Sequence, residues 1–502
     1  MVDFFTKYKS YILFFLLLIL IYFPIFLHLT YMPIRMWDES IMANNAIQMG
    51  ANHNYIVTYF DNNPDTLNCK PPLMIWCIVF FSKILGFSEL SLRLPSALAA
   101  LCLCIYLFVA LKKYSGSPVY GFFVVAILVT SQGYIRNHVT RTGEYDSLLV
   151  LFSTIFSLQL FFACEAVEKK EQSKHLLGFF IFITLAVLTK GVACIMQAPG
   201  LLIYVLLRKK FFPFLKNKWL YAGLAIFIVF GLGYYVLRET LNTGYIQAVW
   251  VNELGGRFGG VLDNHQGPFT LYINEMVTWQ FIEYMFIFPA ALIIGAFFSE
   301  PFIRRLVLFA ALTGSSFLFV VSSAATKLPH YDAPLFPYLA IITASFFYFV
   351  YILIRQKLQP AYQLTIASGI AFIVMLSFFA RPYTDIISKV YFPKGDSWEE
   401  GFSTSCKYFQ DAVRGKVKQE NCKLAYDYGG MGEGCVVTCY KEELKERLIN
   451  TEIVHPDQVK AGDSVIVFDN PAKELIKQKF VTEEIHSLPN YNADVIYIKS
   501  EK

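Results

Sequence analysis

Apolar residues along this chain come in runs longer than any amphipathic helix or strand requires. Eleven can be drawn, at about 11–30, 94–111, 117–135, 147–164, 175–190, 192–208, 218–237, 280–298, 303–322, 331–355 and 361–380. A hydrocarbon core of about 30 Å takes about 20 helical residues to cross. Only elements that satisfy their own backbone hydrogen bonds cross it, so the runs predict membrane-spanning helices. The first run has no small-residue cleavage site and exceeds a signal-peptide core, which makes it an uncleaved span. The stretch from Leu73 to Phe87 is short for a span and is read as an interfacial or re-entrant helix on the outer face, a short genuine span being the alternative. After Ala380 the pattern changes to short β-like runs, "DSVIVFDN" and "ADVIYIK", among helix-like "KEELKERL" and "PAKELIKQK". The expected fold is an all-α polytopic membrane domain over 1–380, with about 11 transmembrane helices and outer-face juxtamembrane helices, and a small soluble α/β domain over 381–502.

Composition agrees, since 56% hydrophobic and 16% charged residues among 502 are too apolar for ordinary soluble domains. Charge then orients the chain. Lysine and arginine favour short cytoplasmic loops. An inside N-terminus puts Lys7 and Lys9, Lys112 and Lys113, "VEKKEQSKH", "RKKFFPFLKNK", Arg304 and Arg305, and "IRQK" in the cytoplasm. The long loops then face out: 31–93, the turn around "RNHVTRTGEYD", 238–279, the turn around "SSAATKLPHY", and the tail. The tail carries Cys406, Cys422, Cys435 and Cys439. In an oxidising compartment these suit disulfides; a zinc site is the competing reading, though no paired C-x2-C occurs. The span centres hold essentially no ionisable residue, and Lys190, Glu283 and Asp332 fall near outer ends. Ion-coupled transporters place such groups near the midplane, which disfavours that class.

Ionisable groups gather instead at the outer boundary. Asp38 and Glu39 in "RMWDES" precede a helix-like segment; Asp38 as a helix cap is the plain alternative. Lys70 in "NCKPPLMIW" is stiffened by Pro71 and Pro72, or simply snorkels to the interface. Arg141 and Asp146 open one span and Lys190 closes another. "NELGGRFGG" and "DNHQGP" bring Glu253, Arg257 and His265 on glycine-rich backbone, which makes turns or admits a phosphate. "TKLPHYDAPLFP" adds Lys327, His330 and Tyr331. Cations and hydroxyls from several loops, with adjacent carboxylates, suit an anionic headgroup beside a group that must lose a proton.

In order, "RMWDES", "CKPPLMIW", "RLPSALAAL", "RTGEYDSLL", "LAVLTKGV", "GGRF" with "HQGP", and "TKLPHYDAPLFP" resemble glycosyltransferase family 39, which includes lipid A aminoarabinose transferases and protein O-mannosyltransferases. The resemblance covers about 10–355. It implies an integral-membrane GT-C enzyme of the bacterial inner membrane, with its active site and C-terminal domain on the periplasmic side. The donor would be an undecaprenyl-phosphate or other polyprenyl-phosphate sugar. The acceptor would be a lipid A-like glycolipid, another glycan or a protein hydroxyl, with membrane lipid as surroundings and no nucleic acid. By position, Asp38 resembles the catalytic aspartate with Glu39 beside it, and Asp146 the acidic residue of the second loop. Lys70, Arg257 and Tyr331 resemble donor-phosphate ligands, and Arg93 the arginine opening the next span. Arg141, Lys190, Glu253, His265, Lys327 and His330 are the expected supporting residues. The family's aminoarabinose transferases carry an acid just before Lys-Pro-Pro, where this chain has Cys69. No outer loop contains the Asp-x-Asp pair of metal-dependent nucleotide-sugar enzymes. The expected chemistry is therefore a metal- and cofactor-free inverting displacement, with fixed cations neutralising the leaving phosphate. A lipid or glycan flippase is the alternative function.

Overall fold

The computed structural model describes residues 2–60, 62–262, 264–298, 300–359, 362–393, 400–417, 422–425, 436, 438–440, 442, 453–468 and 470–502. Helices fill the apolar runs: α1 (Val2–Phe26), α2 (Asp38–Asn52), α3 (Leu73–Leu85), α4 (Glu89–Ser115), α5 (Pro118–Val129), α6 (Asp146–Glu165) and α7 (Lys169–Lys190) lead the chain. Among the described residues, seven helices are long and apolar enough to cross a membrane, starting at Tyr8, Glu89, Asp146, Lys169, Lys218, Pro301 and Pro329. A pair bent by 48°, Leu364–Ser377 and Ala380–Tyr391, makes an eighth if taken as one span. The chain is a multi-pass membrane protein.

Three of the eleven runs differ from a full span. α5 has 12 residues and Ala198–Leu207 has 10, so at 1.5 Å per residue they rise only about 18 and 15 Å. The 280–298 run breaks into Ile282–Met285 and Phe288–Ala296. Local chemistry ends α5. Thr130 Oγ1 turns back to the Ala126 carbonyl and Ser131 Oγ to that of Ile127, each at 2.6 Å. Gly133 follows, its N–H spent on the Gln280 carbonyl and the place of a side chain filled by the Phe336 ring. Hydropathy alone is blind to such breaks.

Contacts divide the chain into two compact units. The first comprises 1–27, 65–74 and 95–391. Within it α6 is the most enclosed span, with 89% of its apolar window buried. Small residues let helices approach: Gly178 faces Gln159, Gly223 faces the Phe180 ring, and Gly200 lies on the backbone of Leu312.

The second unit comprises 28–64, 75–94 and 392–502. It holds the hairpin β1 (Tyr59–Phe60) and β2 (Asn63–Pro64), and a sheet of β3 (Lys423–Ala425), β4 (Ile453–Val454), β5 (Ser464–Val467), β6 (Phe480–Leu488) and β7 (Ala493–Glu501). The sheet order is β4-β3-β5-β7-β6, parallel at β3 and antiparallel about β7. Val465, Val467, Ile496 and Ile498 form its core with Ala472, Ile476 and Phe480 of the helix Asn470–Lys479 and its exit. "KEELKERL" lies outside the described residues except Glu442. Cys406, Cys422 and Cys439 are buried, and Cys435 lies outside the described residues. Tail residues also grip the first loop. Tyr440 Oη accepts from Ile34 N at 2.9 Å and lies 3.1 Å from Glu89, while Gln410 and Arg414 donate to the Thr30 carbonyl.

Candidate active site

The Lys70 segment is held as a rigid lip of the first unit. Asp65 Oδ1 accepts from the N–H groups of Leu67 and Asn68, a side-chain-closed turn. Fully buried Arg238 donates to the Asp65 carbonyl at 3.0 Å and lies 4.3 Å from the centre of the Tyr245 ring. Tyr245 Oη reaches the Cys69 carbonyl at 2.8 Å, Asn252 the Thr66 carbonyl, and Tyr145 Oη the Asn68 side chain at 2.9 Å. With φ of the next two residues set by Pro71 and Pro72, Lys70 has little freedom. Burial pushes the Cys69 thiol up to about 11, so this residue is neutral near pH 7.

Lys70 Nζ lies 3.1 Å from Glu253, both side chains about 15% exposed, and 5.6 Å from the Tyr145 ring centre. Burial alone would lower the ammonium pKa, and Arg257 would lower it further. The Glu253 carboxylate outweighs both and holds it above the ordinary lysine value. A carboxylate thus reaches Lys70 from the glycine-rich loop.

That loop is clamped to the 325–327 stretch by backbone hydrogen bonds. Thr326 N and Ala325 N donate to the carbonyls of Arg257 and Phe258, and Lys327 N to that of His265. The clamp sets Arg257 Nη1 at 2.5 Å from Tyr331 Oη. On the other side of Tyr331, Lys190 Nζ sits 5.2 Å from the ring centre and donates to both oxygens of Asp146, at 2.8 and 2.7 Å. Asp146 opens α6 and Lys190 closes α7, so the buried pair joins the ends of two packed helices. Gly191 turns the chain at φ +56°; a side chain there would meet the Tyr235 hydroxyl and then Pro71. Arg257 and Lys190 therefore meet at one tyrosine, while Lys70, paired with Glu253, lies within electrostatic reach of Arg257.

Other expected residues lie elsewhere or do other work. Arg141 caps α1, donating to the carbonyls of Pro24, Ile25 and Leu27. Lys327 turns its ammonium to the Ala324 carbonyl at 2.5 Å. His265 is exposed. His330 stacks on His138, ring centres 4.6 Å apart, and His138 Nδ1 is 2.7 Å from buried Glu144. Sequence reasoning missed His138, Glu144, Tyr145, Arg238 and Tyr245. His138 carried one signal, a lone histidine between two arginines, but its positive φ of 64° and its partners arise only on folding.

The second unit carries the other acids. Asp38 is exposed in the first turn of α2, after Trp37 with φ +64°. Glu39 is buried, and Arg93 grips both its oxygens, Nε to Oε1 at 2.7 Å and Nη2 to Oε2 at 2.8 Å. Arg93 also donates to the carbonyls of Leu29, Met32 and Pro33. The expected catalytic role of Glu39 meets a carboxylate whose charge is already taken, because a buried acid is stable only when paired.

Residues 69–234 match the family model described as dolichyl-phosphate-mannose-protein mannosyltransferase. The chain is 28% identical over 334 residues to an uncharacterized protein of Aquifex aeolicus (strain VF5), 66% of this chain and 63% of that one. It is 30% identical over 182 residues to the putative mannosyltransferase YycA of Bacillus subtilis (strain 168), 35% of this chain and 25% of that one. The chain thus spans less than two thirds of the length of these curated relatives. Its structure is similar to that of ArnT from Cupriavidus metallidurans bound to undecaprenyl phosphate, with TM-score 0.69 over 97% of both chains at 12% identity. It is also similar to the Archaeoglobus fulgidus oligosaccharyltransferase tethered with an acceptor peptide, with TM-score 0.54 over 96% of this chain and 70% of that one at 10% identity. What these share with the chain is the GT-C fold of a polytopic membrane protein.

Proposed function

We propose that this chain is a GT-C glycosyltransferase that takes a sugar from a polyprenyl-phosphate donor, undecaprenyl phosphate in a bacterial membrane, and passes it to an envelope acceptor. The observation that carries the reading is the meeting of Arg257 and Lys190 at Tyr331, with Lys70 and its partner Glu253 within electrostatic reach of Arg257. A lysine, an arginine and a tyrosine hydroxyl in a partly buried site are the groups that would hold a phosphate monoester. The match of 69–234 to a mannosyltransferase model and the likeness to a structure holding undecaprenyl phosphate support the same donor class.

In the proposed reaction the acceptor oxygen attacks the anomeric carbon as the bond from that carbon to the phosphate oxygen breaks. The electron pair leaves with the phosphate, where Lys70 and Arg257 meet the growing charge and Tyr331 holds Arg257 in place. Single displacement inverts the anomeric centre. Lys190 and Asp146 neutralise each other; we assign them to orienting Tyr331. Asp38 takes the acceptor proton, a role that rests on the resemblance and on its exposed carboxylate. Glu39 and Arg93 shape the loop that presents it. We place the active site on the periplasmic face of the inner membrane, from the cationic loops opposite. The acceptor is a lipid A-like glycolipid, another glycan or a protein hydroxyl. The test is to compare masses of envelope glycolipids and glycoproteins with and without the gene, and to assay purified protein in nanodiscs for undecaprenyl-phosphate binding. A mass difference of one sugar residue and phosphate-dependent binding are expected. An unchanged envelope, with no binding, would sink the proposal.

A further inference from the structure

A cavity of about 470 Å³ opens between α4, α6 and α7, far from Lys70 and Tyr331. Asp146 and Lys190 stand at one end of α6 and α7; the cavity is lined by Gln159 and Phe162 of α6 and by Lys174 and His175 of α7, toward the other. The 20 residues of α6 rise about 30 Å, so the two sites lie near opposite ends of the same helix pair.

Its walls have a graded chemistry. Along α4, Cys102, Tyr106, Val109 and Lys113 follow one another at helical spacing on the face that lines it, apolar first and cationic last. Val109 is 52% exposed, so the apolar part opens sideways, toward where lipid chains lie for a spanning helix. The polar wall is closed on itself. Tyr114 Oη is 2.8 Å from His175 Nε2, His175 Nδ1 is 2.7 Å from Gln159 Oε1, and Gln159 Nε2 donates to Tyr106 Oη at 3.1 Å. Gly178 makes this possible, since a side chain there would strike Gln159. Lys113 and Lys174 flank the mouth, both exposed, and Lys113 Nζ lies 4.9 Å from the Tyr114 ring centre. Lys112, Lys169 and Lys170 stand nearby in sequence, against Glu168 and Glu171, the latter 3.7 Å from His175.

We infer that this groove binds an anionic phospholipid, with its phosphate at Lys113 and Lys174 and one acyl chain along Val109, Tyr106 and Cys102. Positive charge and a hydroxyl at the mouth match a headgroup phosphate, and the apolar flank matches a chain. Net positive charge selects against a zwitterionic head, whose own cation would meet the lysines. The lipid would tie together the far ends of the helices that carry Asp146 and Lys190, and the inference does not depend on the donor assigned above.

Native mass spectrometry of the full chain in mild detergent, titrated with phosphatidylglycerol and with phosphatidylcholine, tests it. Phosphatidylglycerol should be retained several-fold better by the parent, and the doubly substituted Lys113→Ala, Lys174→Ala chain should lose that preference, about fivefold for each lysine. Lys113→Arg with Lys174→Arg should keep it. Excess inorganic phosphate should not displace the lipid; displacement would make this a phosphate site and overturn the lipid assignment. Equal retention of the two lipids by the parent, or an unchanged preference in the alanine variant, would overturn it as well.

Discussion

Lys70 and Glu253 show how one contact decides a residue's chemistry. Because the carboxylate raises the lysine pKa above its ordinary value, the ammonium is fully present below that value and is lost only in strong alkali. Undecaprenyl-phosphate binding by the parent should therefore be flat from about pH 6 to pH 10, so far as Lys70 carries it. In Glu253→Gln, burial and Arg257 lose their main opponent and the lysine pKa falls, so binding should decline earlier on the alkaline side. A titration that superposes on the parent's would refute the coupling. Lys70→Ala should both weaken binding and slow transfer, since in the proposed reaction the cation meets the phosphate before and during bond breaking. Arginine there should rescue only partly, because its planar fork does not reproduce a compact ammonium. Asp38→Asn should differ, cutting single-turnover transfer by about 10²-fold or more with donor affinity little changed. Near-normal turnover would refute that role for Asp38.

At the level of elements, the first loop is organised by one buried ion pair. Arg93 ties α4 to Glu39 of α2 and to three carbonyls. Arg93→Ala leaves a buried carboxylate uncompensated, a loss of roughly 3–5 kcal/mol. Thermal unfolding in detergent should show a large drop in midpoint, and limited proteolysis should cut within 28–64. If Glu39 is structural, Glu39→Gln should lose stability yet keep most single-turnover activity per folded molecule. A stable but inactive Glu39→Gln would restore the catalytic reading. The sequence marked Arg93 and Glu39 as neighbours of a site, but their pairing across more than fifty positions was invisible to local pattern.

For the whole molecule, the basic loops predict that a reporter fused after Ala380 is active only outside the cytoplasm and one in the Lys169–Lys174 loop only inside. A cytoplasmic signal from the tail would refute that orientation. The tail's hold on Thr30, Ile34 and Glu89 yields a second expectation. Tyr440→Ala with Arg414→Ala should speed proteolysis of the 28–64 loop while leaving 95–391 resistant. Unchanged cleavage would mean these contacts do not order the loop.

The polytopic class and the gathering of charge at helix ends were legible from sequence alone, because hydropathy and charge are sums over local composition. The full-length spans were legible for the same reason. What the sequence could not decide is which charges meet. Glu253 pairing with Lys70, Lys190 taking both oxygens of Asp146, and Arg257 reaching Tyr331 each join residues far apart in the chain. Those partners are chosen by how helices and loops pack, and with them the ionisation of every buried group, since desolvation and the nearest opposite charge are properties of the fold.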